Sequence, residues 1–289
     1  MALVFALAAP FLFGLGTIAS KLLLSGISPV LLAGILYLGS GLGLGAVRLL
    51  CPRASAMAGS PLERADLPWL SAATLCGGVV GPALFLLGLS GTSASAAALL
   101  LNLETAFTAC LAWSIFAERA TPRLALGVVL VLVGGAVLAW PAADSAATAR
   151  WRGDLLVAAA CLSWGLDNNL SRRISNKNAV SIAAIKGLVA GGVNVALALA
   201  FAARLPEPPL LAKAALVGFL CYGASLVFFI LSLRRLGSAR TSLYFALAPL
   251  IGATAGVLFL HEPVSARLCL VALLMTAAAL LGLQTAPEG

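Results

Sequence analysis

Residues 99–113 read LLLNLETAFTACLAW. Apolar residues enclose two polar ones, Asn102 and Glu104, and the surroundings of Glu104 decide the fold. In a soluble helix such a carboxylate turns to a polar face, but here there is none. Of 289 residues, 62% are hydrophobic and only 10% charged, and the mean hydropathy is +1.07. A soluble domain carries roughly 25% charged residues. Apolar runs of about 20 residues recur along the chain, the length that crosses a bilayer as a helix. Backbone groups in lipid must be satisfied internally, so the crossings are helices or a closed barrel. These runs are continuous and rich in Leu, Ala, Val and Gly rather than short and alternating, which selects helices.

Polar breaks and Pro or Gly punctuation predict ten segments, at 3–23, 29–50, 67–89, 93–117, 122–140, 154–173, 179–203, 210–233, 238–261 and 264–284. Two connections are long, 51–66 and 141–153, and the second lies near the midpoint. The halves, 1–143 and 152–286, resemble each other. Glu118 falls on Glu262 and Arg123 on Arg267 at one offset. At a second offset GLGTIASK (14–21) parallels GLDNNLSR (165–172), matching Ser20 to Ser171 and Lys21 to Arg172. Five segments per half is an odd number, so the second half enters the membrane from the opposite side. The expected fold is all-α and integral to the membrane, ten transmembrane helices in two inverted five-helix repeats around a central cavity. With both termini cytoplasmic, the loops on that side hold Arg48, Arg53, Arg64, Arg119, Arg123, Arg172, Arg173, Lys177, Arg234, Arg235 and Arg240. The far side holds only Lys21, Arg150, Arg152, Arg204, Lys213 and Arg267, the bias expected of cytoplasmic loops.

Three ionisable residues fall inside segments: Glu104, Asp167 and Lys186. A charge near the bilayer centre costs at least about 2.5–3.5 kcal/mol, so such residues face a protein interior or a water-filled path. Glu104 lies about 18 Å along its segment and cannot reach either surface. It must be paired, protonated or hydrated, and Lys186 is its expected partner, although the long Lys186 stem could instead snorkel to the surface. Asn194 extends the polar stripe of Lys186. Asp167, Asn168 and Asn169 sit near a segment end, where Asp167 can pair with Arg172, Lys177 or, across a helix interface, Lys186. Tyr37, Trp113, Trp164, Tyr222 and Tyr244 serve either as cavity wall or as ordinary packing, whereas Trp69, Trp140 and Trp151 stand near segment ends like interfacial anchors. Glu118 and Glu262 occupy matching turns, where each can accept from the free amides of the next helix's first turn.

Other signals point nowhere. GSGLGLGA (39–46) lies inside an apolar segment with no strand before it, so its glycines read as helix packing, as do Gly187 and Gly191. HEPVS (261–265) has no second histidine, and there is neither a phosphate loop nor a GxSxG elbow. No cofactor or metal is expected, and the six cysteines read as packing residues. The charge of +8 is scattered over helix ends, which argues against nucleic acid. The apolar beginning reads as a first helix and not a cleaved signal.

The stretch LLLNLETAFTACLAWSIFAERATPRLALGVVLVLVGG (99–135), with its polar centre and terminal Glu118, resembles the EamA-type branch of the drug/metabolite transporter superfamily. So do its counterpart ending in Glu262, with Pro249 at its centre, and GDLLVAAACLSWGLDNN (153–169). The chain departs from that pattern at Glu104-Thr105, where the second copy has Ala248-Pro249. The resemblance implies a secondary transporter without ATP hydrolysis or other enzymatic chemistry, exporting amino acids or similar small polar metabolites. A Glu104/Lys186 pair would engage an ammonium and a carboxylate together, with protons as coupling ion. Substrate-site candidates are Glu104, Asn102, Lys186, Asn194, Trp164, Tyr37, Tyr222, Tyr244 and Asp167. The alternatives are a flippase-like carrier of lipid or bulky metabolites and a multidrug or amine exporter. The expected setting is a bacterial inner membrane, with membrane lipids and a small-molecule substrate as partners; the oligomeric state is left open, a monomer being compatible with the sequence.

Overall fold

The structure is a computed structural model that describes residues 2–50, 59–115, 122–139, 147–174, 177–229, 232, 244–245 and 247–283. Glu118, Trp140 and the start of the ninth predicted segment lie outside the described residues. The helices, in order, are α1 (Ala2–Leu23), α2 (Pro29–Leu50), α3 (Arg64–Gly91), α4 (Ala94–Leu100), α5 (Leu103–Ile115), α6 (Pro122–Ala139), α7 (Ala147–Ser171), α8 (Ala179–Ala200), α9 (Pro208–Phe229), α10 (Ala248–Leu260) and α11 (Ala266–Leu283). No strand occurs among the described residues. Six spans are long and apolar enough to cross a membrane: α1, α2, α3, α4 with α5, α8 and α9. Shorter apolar stretches lie in α6, α10 and α11. α7 has the length, 25 residues, but Arg150, Arg152 and Asp154 at one end and Asp167-Asn168-Asn169 at the other dilute its apolar character.

Local chemistry sets the ends. Ser93 and Asn178 cap α4 and α8, accepting from Ala96 N at 3.1 Å and Ser181 N at 2.9 Å. The prolines opening α9 stand at the start of that helix, and Pro68 at the start of the α-helical part of α3, just after its tight turn Arg64–Asp66, where an amide hydrogen is least needed. His261 ends α10 in the left-handed region, at φ 52°. Two expectations are corrected. The connection at 141–153 is partly helical, because α7 begins at Ala147 rather than 154. The 93–117 segment is not continuous: Asn102 N turns back to Leu99 O at 3.1 Å, a tightened turn that ends α4 and starts α5.

Helices in lipid gain little by hiding apolar surface from one another, so close packing of small residues has to hold them. α2 lies against both α8 and α9. A Cβ on Gly41 would stand 2.5 Å from Leu188 N, and one on Gly34 2.7 Å from Val195 N. On the neighbouring face, a Cβ on Gly39 would come within 2.2 Å of Ala215 O and one on Gly218 within 2.1 Å of Leu36 O. Two further crossings share one geometry. Gly14 of α1 sits on Ile251 and Gly252 of α10, and Gly165 of α7 sits on Phe107 and Thr108 of α5.

Each end of the bundle is tied by polar contacts. At one, Lys21 Nζ donates to Leu89 O and Thr92 O at 2.5 Å each, and Thr92 Oγ1 donates to Asp154 Oδ1 at 2.5 Å. At the other, Arg48 donates to Ser181 Oγ at 2.7 Å, and Lys177 pairs with Glu63 at 2.5 Å and Asp66 at 3.3 Å. Glu63 holds the Lys177 ammonium above its ordinary pKa, so this tie stays charged at neutral pH.

The packing makes a direct prediction. Gly41→Leu should destabilise the folded protein by about 1–3 kcal/mol, as overpacked interiors do. Gly45→Ala should be tolerated or slightly stabilising, because nothing lies within 4 Å of the Cβ it adds and alanine favours a helix interior. Thermal unfolding in detergent micelles would compare the two.

Candidate functional site

The site begins with an irregular turn. Over Thr74–Val80 the ladder of α3 switches to i→i+5 bonding, which widens the helix and turns carbonyls out of register. Side chains from other helices meet those carbonyls. Ser163 Oγ of α7 donates to Cys76 O at 2.9 Å. Tyr37 OH of α2 and Trp164 Nε1 of α7 both donate to Gly77 O, each at 2.9 Å. Asn194 Nδ2 of α8 donates to Gly78 O at 3.1 Å. Asn194 is fully buried, and its Oδ1 has no partner among the described residues.

Gly77 also makes room for a charge, since a Cβ there would stand 1.7 Å from Asp167 Oδ2. Lys186 Nζ donates to both oxygens of Asp167 at 2.6 Å each, and Ser171 Oγ donates to Oδ1 at 2.8 Å. The two side chains are 15% and 13% exposed, so Lys186 does not snorkel. The expected Glu104–Lys186 pair is therefore replaced by Asp167–Lys186. Consecutive residues on a helix are 100° apart, so α7 turns Asp167 toward α3 and α8 while Asn168 faces α5.

Glu104 accepts from Asn168 Nδ2 at 2.8 Å. The same amide donates to Thr108 Oγ1 at 3.1 Å, and Asn169 Nδ2 donates to Thr108 O at 3.1 Å and Gly165 O at 2.8 Å. Glu104 lies in the first turn of α5, where the helix dipole favours an anion. It is partly exposed, and Thr105 and Asn168 beside it are exposed. Among the described residues no cation pairs with it.

The other candidates divide. Tyr222 approaches Tyr37 with ring centroids 6.2 Å apart, and its hydroxyl lies 3.4 Å from Ser20 Oγ. Trp164 packs on Phe85 at 5.6 Å. Asn102 points away, donating to Leu99 O at 3.1 Å and to Met275 Sδ of α11 at 3.4 Å. Tyr244 is half-buried just before α10, and its carbonyl accepts from Leu247 N at 3.1 Å. Glu262 corrects another expectation. It binds not the helix that follows it but the start of α4, accepting from Ala94 N at 2.6 Å, Ser95 N at 2.8 Å and Ser95 Oγ. Those amides are the free donors of α4's first turn, brought close because α10 packs on α4. The reading of the sequence missed the turned-out carbonyls and their donor Ser163. The adjacent glycines in TLCGGVV (74–80) were the available signal.

Apolar helices enclosing an ion pair and a separate carboxylate define a multi-pass membrane protein with a polar interior. The chain belongs to the EamA-like transporter family, whose family model matches residues 1–140 and 151–283. It is 30% identical over 270 residues to an uncharacterized transporter of Methanothermobacter thermautotrophicus, an alignment spanning 89% of this chain and 78% of that protein. A crystal structure 17% identical in sequence shares the fold, with a TM-score of 0.68 over 100% of this chain and 99% of the other. The protein is a membrane transporter and not an enzyme.

The pair's energetics can be tested by a double-mutant cycle. Asp167→Asn or Lys186→Met alone should cost about 3–5 kcal/mol, because each strands the other's charge. The double variant should recover most of that loss. Gly77→Ala should behave like the single variants, by pushing Asp167 off Lys186.

Proposed function

We propose that this protein is a secondary transporter that exports small polar metabolites from the cytoplasm, built as ten crossings in two inverted five-helix repeats around a central cavity. The crossings would be α1, α2, α3, α4 with α5, α6, α7, α8, α9, the segment containing α10, and α11. The repeat is supported by the double match of the family model. It is supported also by the i→i+5 turns at Thr74–Val80 and Gly218–Ala224, which share the offset that brings Glu118 to Glu262. The glycine crossings agree, with Gly14 on Ile251 and Gly252 where Gly165 lies on Phe107 and Thr108. Bonds at one end join Lys21, Thr92 and Asp154, and at the other Arg48 with Ser181 and Lys177 with Glu63, as alternating crossings require. The excess of Lys and Arg on the second side supports cytoplasmic termini in a bacterial inner membrane.

The observation that carries the reading is Glu104, partly exposed, among the paired charges of an otherwise apolar bundle. Intramembrane carboxylates mark substrate or proton paths. A specific observation favours a second reading, a carrier of lipid or bulky apolar metabolites: a cavity of about 340 Å³ between α1 and α10, lined by Leu7, Ala8, Pro10, Phe11, Leu247 and Ile251. No head-group ligand lines it, so the polar site is preferred.

Purified protein in vesicles, offered labelled amines, amino acids and lipids with and without a pH gradient, tests both readings. Gradient-driven carriage of a polar solute is expected, falling about tenfold or more in Glu104→Gln, the loss of one charge-assisted contact. Flipping of labelled lipid without solute carriage would replace this reading by the second. In whole cells, tags at both termini should resist protease added from outside.

A further inference from the structure

We infer that the transported species is bound by its positive charge at Glu104, so that the substrate class is monovalent organic cations bearing an apolar body, not zwitterions or anions. This rests on the transporter reading and adds to it the sign of the cargo.

The first step is a charge balance. Lys186 meets both oxygens of Asp167 at 2.6 Å, and this pair is neutral as a unit. A substrate carboxylate brought to Lys186 would face the Asp167 carboxylate as well. Desolvating a further anion there has no compensating cation among the described residues. Glu104 is different. One amide donor and the dipole of α5 stabilise it, both weaker than a cation. When Glu104 is ionised, the three groups carry one net negative charge, and a single positive charge completes them.

The second step is access and shape. Glu104 is partly exposed, and Thr105 and Asn168 beside it are exposed, whereas Asp167 of the ion pair is buried. Phe107 stands one turn after Glu104 on the same face of α5, packed against the core and still partly exposed, whereas the Trp164 ring is turned to Gly77 and Phe85 of α3. An aromatic side chain one turn from a carboxylate suits an ammonium with a hydrocarbon body, adding cation–π attraction to the ion pair. The corresponding crossing in the other half, at Gly14, has Thr17 where α7 has Asn168 and Ala248 where α5 has Glu104, and it holds no charge.

The test is equilibrium binding to the full-length protein in lipid nanodiscs, with empty discs as blank, of three probes on one skeleton: phenethylammonium, phenylalanine and 3-phenylpropionate. Propylammonium, alanine and propionate form a smaller series, in case the first skeleton is too large. The ammonium is expected to bind about tenfold or more tighter than the zwitterion, the worth of one charge-assisted contact, and the anion not at all. Glu104→Gln should erase the preference, whereas Glu104→Asp, which keeps the charge, should retain it. Retention in the Asp variant separates loss of charge from loss of fold. Equal or tighter binding of the zwitterion or anion, ammonium binding unchanged in Glu104→Gln, or no binding in either series would overturn the assignment. Carriage of some other solute in the vesicle experiment would still leave the transporter reading standing.

Discussion

An ion pair inside a bilayer has no water to fall back on, and the rest of the interior is arranged around the bond between Asp167 and Lys186. Leaving either charge alone would cost several kcal/mol, so the closed arrangement of the helices around it requires the pair. Its geometry reaches outward. Asp167 needs the space left by Gly77, and Gly77 lies in the i→i+5 turn of α3. That turn presents carbonyls that Tyr37, Ser163, Trp164 and Asn194 satisfy from α2, α7 and α8. A single electrostatic requirement thus ties four helices together, and the irregularity in α3 is tolerated because the carbonyls of Cys76, Gly77 and Gly78 find donors.

How far this was legible depended on the distance over which each feature is determined. The helical, membrane-embedded class followed from composition, since a run of twenty apolar residues has few other fates in water or lipid. The polar residues that matter were visible too, because charges stand out against Leu and Ala. What could not be read was who pairs with whom. Asp167 and Lys186 are 19 residues apart on separate helices, and the 100° between Asp167 and Asn168 decides which faces α8 and which faces α5. Glu262 was recognised as a helix-capping residue, but its target, α4, lies 168 residues away in sequence, and only tertiary packing selects it. The break at Leu101–Asn102 was foreshadowed by a polar centre, yet no proline or glycine marks it. The i→i+5 turn left almost no trace beyond adjacent glycines.

The two glycine crossings, equivalent under the duplication proposed above, show how similar backbone approaches can serve opposite purposes. At Gly165 the neighbouring positions are Asp167, Asn168 and Asn169, and the facing helix offers Glu104 and Thr108. At Gly14 they are Gly16, Thr17 and Ile18, and the facing helix offers Ala248 and Gly252. The backbone approach is set by glycine in both places, so side chains could diverge without disturbing the packing. One crossing became polar, and the other borders an apolar cavity. Under the duplication proposed above, keeping charge at only one crossing avoids a second desolvation penalty in the membrane while leaving the fold's two-fold pattern intact.

The break between α4 and α5 gains meaning from what each piece touches. α4 is held at its far end by Glu262, whose oxygens take the amides of Ala94 and Ser95, and Lys21 and Asp154 hold the preceding turn. α5 carries Glu104 on the other side of the break and is held to α7 through Asn168 and Asn169. A continuous helix would couple these two anchorages rigidly, since a displacement passes along an unbroken hydrogen-bond ladder. The turn at Leu101–Asn102 interrupts that ladder, so the two pieces are anchored separately, α4 to Glu262 and α5 with its carboxylate to α7.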